Sequence, residues 1–251
     1  MADNARWSRD ELIAAFNLYC RIPFGRIHTG NPEVIALADV LGRSPSAVAW
    51  KLANYARLDP TLKARKIAGA SHGSKQEEAI WREFHSDWES LAFESELALA
   101  RLKGMELATE VDDFPEGRTK DSVVRVRLNQ KFFRAAVLAA YNFQCCITGL
   151  SVTQLLSASH IVPWAVDVKN RANPRNGLCL NAIHDRAFDC GLITITDYRV
   201  VVSPVLKKKA AEHAVSELIL RYENATIMEP ERFAPSAEFL RYHFEHIFVR
   251  S

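Results

Sequence analysis

The chain has 251 residues, 48% hydrophobic and 25% charged, which is enough to bury a sizeable core, and no apolar run approaches a bilayer-spanning length. Net charge is only +2 but uneven: residues 1–74 hold ten bases against six acids, 75–117 four against twelve, and 118–251 eighteen against twelve. Two basic parts flanking an acidic one suit a nucleic-acid binder whose middle stays off the phosphates, and solvated helix faces give the same pattern.

The opening residues lack the charged-then-apolar layout of a secretory signal, so a cytoplasmic protein is expected. The five cysteines are an odd number, which argues against a disulfide framework, and adjacent Cys145 and Cys146 are not the C-x-x-C spacing that chelates zinc.

In chain order, Ser8 and Glu11 form a capping-box pattern ahead of a helix with Leu12, Ile13 and Phe16 at helical spacing, ended by Pro23. A second helix is predicted from Pro32 to Leu41, stopped by Gly42, and a third begins at Pro45 behind the cap Ser44. Val48, Leu52 and Tyr55 form the third helix's buried stripe, which leaves Ser46, Lys51, Asn54 and Arg57 on the exposed side. Helix, glycine turn, helix is the layout of a helix-turn-helix, whose second helix would bring Lys51 and Asn54 to duplex DNA. A plain three-helix packing domain has the same pattern.

Ala68 to Ser74 is a small-residue linker, followed by one long helix from about Lys75 to Lys103 and an acidic connector from Gly104 to Asp121. Val123, Val124, Val126 and Leu128, with Arg125 and Arg127 interleaved, read as a short strand, and Phe132 to Tyr141 as a helix. Six bases (Arg118, Lys120, Arg125, Arg127, Lys131 and Arg134) stand against the one acid Asp121, a candidate phosphate-facing strip. Further on, Leu192–Thr196 and Arg199–Ser203 read as two strands joined at Asp197-Tyr198.

The chemistry-bearing stretch runs from Cys145 to Pro204. It contains Ser159-His160-Ile161-Val162-Pro163-Trp164, then Asn173-Pro174-Arg175-Asn176-Gly177-Leu178, then His184 followed by Phe188-Asp189-Cys190-Gly191-Leu192. Over about residues 123–203 this resembles the HNH nuclease family, especially its bacterial restriction-like members. The resemblance implies a C-terminal ββα-metal nuclease domain, which together with the mainly helical N-terminal region read above makes an α+β chain. Residues 1–67 would form the helical DNA-binding part, 68–121 the linker, long helix and connector, and 122–251 the nuclease domain with C-terminal helices.

Cutting a phosphodiester needs an activated water, a cation to stabilise developing charge, and groups holding both in register. Histidine suits the base because its pKa lies near neutrality. The resemblance makes His160 the general base, Asn176 the residue that orients it or approaches the metal, and His184 a metal ligand. It implies a divalent cation, Mg2+ or Mn2+, double-stranded DNA as substrate, a restriction or defence role, and a homodimer if both strands are cut. Asp189, five residues after His184, is not far off the same helix face and is a second candidate ligand or a helix-end cap.

Two departures stand out. Ser159 occupies the position where many members carry an Asp or His ligand, so the metal would rest on His184 with Asp189, Asp185 or a DNA phosphate. Thr148 stands where a second knuckle cysteine would be, so packing must replace structural zinc. The alternative reading, favoured by Ser159, is a DNA-binding regulator with an inactive HNH module.

Overall fold

The computed structural model describes residues 6–66, 73–105 and 120–251 and divides into two compact units, Met1–Ala136 and Val137–Ser251. The expected linker at 68–72 and most of the acidic connector (106–119) lie outside the described residues.

The first unit is helical: α1 (Arg9–Arg21), α2 (Pro32–Leu41), α3 (Pro45–Ala56), α4 (Pro60–Ala64), α5 (Lys75–Phe84), α6 (Trp88–Leu102) and the larger part of α7 (Lys120–Ala140). Local signals set these boundaries. Ser8 and Glu11 close a reciprocal capping box, Asn31 and Ser44 cap α2 and α3 ahead of Pro32 and Pro45, and Gly42 takes φ 61°, a left-handed conformation glycine adopts without a Cβ clash. The core is aromatic: Phe16 stacks on Tyr55 at 4.8 Å and meets Trp81 at 5.1 Å. The Tyr19 hydroxyl donates to Asp59 (2.8 Å) and that of Tyr55 to the Leu12 carbonyl (2.9 Å), so both polar tips are satisfied on burial.

Three expectations are corrected here. The long helix is two, because Asp87 accepts from the Ser90 N–H and starts α6 afresh after the turn at His85–Ser86. The strand at Val123–Leu128 is part of α7. Burial there falls on Val123 and Val124, Asn129, then Phe132, Phe133 and Ala136, a helical period rather than alternation. β-Branched propensity lost to packing of that face.

The third correction concerns Lys51 and Asn54. Neither is presented outward: both reach Glu77 of α5, Lys51 as an ion pair and Asn54 through its amide at 3.0 Å. Burial alone would raise the Glu77 pKa, but Lys51, Asn54 and the Ser74 N–H more than offset it, so the carboxyl sits below its ordinary range. Because Glu77 is fully buried and Lys51 nearly so, Glu77→Ala strands a cation. It is expected to cost about 3–5 kcal/mol in urea unfolding, much of it recovered by the double change Glu77→Leu with Lys51→Met.

The second unit continues from the end of α7 through strand β1 (Leu156–His160), strand β2 (Gly177–Asn181), helix α8 (Ala182–Asp189), strands β3 (Ile193–Thr196) and β4 (Arg199–Val202), then α9 (Pro204–Lys207), α10 (His213–Leu218) and α11 (Ala237–His246). β1 and β2 pair antiparallel with His160 opposite Gly177, and β3 pairs with β4 across the expected Asp197-Tyr198 turn. The chain is thus α+β, with a ββα unit in its C-terminal half. No helix among the described residues is long and apolar enough to cross a membrane.

His243 locks α11 onto this unit. Its ring is 1% exposed and stacks on Phe188 at 3.6 Å, Nε2–H donates to the Phe188 carbonyl, and Nδ1 bonds the Thr194 hydroxyl. Burial lowers its pKa from 6.5 to about 4. The unfolded chain therefore binds a proton in that interval that the folded chain does not, so stability falls as pH drops from about 6.5 to about 4. Urea melts should show a loss of about 3 kcal/mol over that window, largely absent in His243→Gln.

Candidate active site

His160 ends β1, where the chain leaves the hairpin for the loop carrying Trp164 and Arg171. Its Nε2 lies 2.9 Å from the Arg171 carbonyl, which can only accept, so Nε2 carries the hydrogen and the basic lone pair is on Nδ1 in the neutral ring. The edge of the Trp164 ring system meets the imidazole at 5.5 Å and 88°. Burial lowers the ring's pKa below 6.5, against the opposing pull of the Arg171 carbonyl and the Asp185 carboxylate. A neutral, oriented imidazole is the state a general base needs.

Asn176 is 1% exposed and its amide is fully engaged with backbone. Oδ1 accepts from the Val162 N–H (2.8 Å), while Nδ2 donates to the Val162 carbonyl (3.1 Å) and the Asn170 carbonyl (3.3 Å). The Asn176 carbonyl also receives the Ile161 N–H at 2.9 Å. Of its two expected roles, this geometry fits holding the strand end beside His160. An amide with every polar atom committed has nothing to offer a cation.

His184 sits in the first turn of α8 and is 2% exposed. Nε2 donates to the Leu218 carbonyl at 2.9 Å, and Nδ1 accepts from the Asn181 amide at 3.0 Å. The imidazole also lies against the Cys145 thiol, which sits at about 7: burial raises it, and interactions with His184, Thr148 and nearby backbone lower it by more. The expected metal-ligand role would need a ring nitrogen turned to a cation, and neither is so placed here. Both ring nitrogens are spent inside the protein, where His184, Asn181, Thr148 and Cys145 tie the start of α8 to the Cys145–Gly149 turn. Such a polar cluster takes the place of a zinc knuckle. Asn181 was missed as a site-building residue, although an Asn directly before Ala-Ile-His is an N-cap signal; its Oδ1 receives the Ile183 and His184 N–H groups.

Asp185 lies beside His184 in the first turn of α8. Its charge is felt by the His160 ring and by Asp189, one helical turn on. The Asp189 pKa is raised by burial and by Asp185, partly relieved by Arg186. Two carboxylates one helical turn apart, the first of them felt by the His160 ring, offer hard oxygen donors to a cation. Among the described residues no group of three or more His, Cys, Asp and Glu is placed to hold an ion. A small divalent cation does not require one, because it is commonly held by one or two carboxylates, its own waters and substrate phosphates. On donor chemistry the site fits such an ion.

Ser159 lies on the other side of β1 from His160 by strand alternation, and it is buried, with its hydroxyl lacking a hydrogen-bond partner among the described residues. Asp and His side chains are absent there, but so is an outward-facing position to use them.

No curated protein matches the chain. A family model described as HNH endonuclease matches residues 145–196, the span from the Cys145 turn through β1, β2 and α8 to the end of β3. The antiparallel hairpin and the helix that follows it agree with that match, and over this span the chain is similar to HNH endonucleases.

Proposed function

We propose that the protein is a metal-dependent endonuclease acting on DNA, with His160 as general base and Asp185, together with Asp189, as the protein's metal ligands. The observation that carries the reading is the pairing of a neutral His160, its basic nitrogen set by the Arg171 carbonyl, with the Asp185–Asp189 carboxylates on the adjoining helix.

In this mechanism Nδ1 of His160 takes a proton from a water as its oxygen bonds to phosphorus and the ester P–O bond on the far side breaks. A divalent cation, when bound, stabilises the charge on the phosphate and on the departing oxygen. Asn176 keeps the Ile161–Val162 backbone, and through it the end of β1, from moving during the transfer. Trp164 and the Arg171 carbonyl hold the imidazole plane. Water protonates the leaving oxygen, and His160 returns its proton to solvent.

The family context supports a role in restriction or defence. The test is cleavage of supercoiled plasmid with Mg2+ or Mn2+, with EDTA as control. Conversion to nicked or linear DNA that EDTA abolishes is expected. Tight binding of DNA with no cutting under either ion would instead favour a binding regulator whose HNH module is inactive.

A further inference from the structure

Helix α7 was expected to be a strand, and the difference changes which of its bases act together. At about 100° per residue, Arg127, Lys131 and Arg134 fall within about 60° of one another, whereas Arg125 lies on roughly the opposite side. The side chains agree. Arg127, Lys131 and Arg134 are exposed, as is Gln130 beside them; Arg125 is exposed as well, but its guanidinium stacks on the Phe93 ring at 3.7 Å. None of the three exposed bases makes an ion pair among the described residues. The sequence from Ser122 to Ala140 contains no acid.

We propose that this face of α7 is a phosphate track: Arg127, Lys131 and Arg134 bind the backbone of the nucleic-acid substrate, without reading sequence. The inference rests on the nuclease reading for the identity of the polyanion. Charge complementarity favours that partner. Three uncompensated cations spread over about 10 Å of helix, at 1.5 Å per residue, match about three successive phosphates at 3.4 Å of axial rise each. The other side of the helix, with Phe132, Phe133 and Ala136, is buried and holds the track in place.

The experiment measures binding of a fluorescent 25-base-pair duplex by anisotropy, in EDTA so that nothing is cut, across a KCl series. Each lost phosphate contact lowers the slope of log K against log salt by about 0.9. The triple change Arg127→Ala, Lys131→Ala, Arg134→Ala should therefore lower it by about 2.7 and weaken binding about a hundredfold at 0.15 M salt. Arg125→Ala should leave the slope within about 0.3 of the wild type. An unchanged slope in the triple variant, or wild-type protein that binds polyglutamate through these residues in preference to the duplex, overturns the track. The two readings fail separately: duplex binding with the expected slopes but no cleavage sinks only the nuclease, and metal-dependent cleavage with an unchanged slope sinks only the track. Because the three side chains are exposed, the variant's melting temperature should match the wild type.

Discussion

His160→Ala is expected to leave the ββα unit folded and to reduce metal-dependent plasmid cleavage by about 10³-fold, within the usual range for a lost general base. The ring is half-buried, so the change opens little space, and the backbone around it is held by Asn176 rather than by the imidazole. The pH dependence carries a second, independent signature. Burial lowers the His160 pKa more than the Arg171 carbonyl and Asp185 raise it, so its free base persists to more acid pH than an exposed histidine's. The acid limb of kcat/KM should accordingly have its midpoint below 6.5, and it should vanish with the ring in His160→Ala. Wild-type cleavage rates in a folded His160→Ala protein would remove this residue from the mechanism.

The second large effect separates Asp185 from His184. Asp185→Asn keeps size and helix context while removing the charge felt by His160 and Asp189. Cleavage should fall at least about a hundredfold, with a higher metal concentration needed for half-maximal rate, and stability should move by no more than about 0.5 kcal/mol. His184→Ala should behave in the opposite way. It strands the Asn181 amide and the Leu218 carbonyl and opens a space against Tyr222, at a cost of about 2–4 kcal/mol. At low temperature, where enough of it stays folded, its metal dependence should match the wild type. The assignment is reversed if His184→Ala shifts the metal requirement while Asp185→Asn does not.

Much of the second unit was legible because its signals are local. Strand alternation, the Asp197-Tyr198 turn and the Pro-Arg-Asn-Gly bend each act over a few residues, and the spaced His, Asn and His elements carried the family resemblance. The same holds for α1 to α3, whose N-caps Ser8, Asn31 and Ser44 set where each begins. The α7 error has a different origin. Alternating Val and Arg over Val123–Leu128 satisfies a strand pattern, and a six-residue window cannot show that burial continues at helical spacing into Phe132 and Phe133.

The sequence by itself determined the α+β class, the ββα segment and the capped helices of the first unit, because propensity, capping and motif spacing are written along the chain. Only the tertiary structure decided that His184 turns inward to Leu218, Asn181 and Cys145, while the charge of its neighbour Asp185 is felt by His160. It likewise decided that Lys51 and Asn54 serve Glu77, and that three bases of α7 share a face while Arg125 does not. The physical reason is common to all three. Whether a polar side chain is spent internally or left for a ligand depends on partners distant in sequence, such as Leu218 for His184 and Glu77 for Lys51, and no local pattern encodes them.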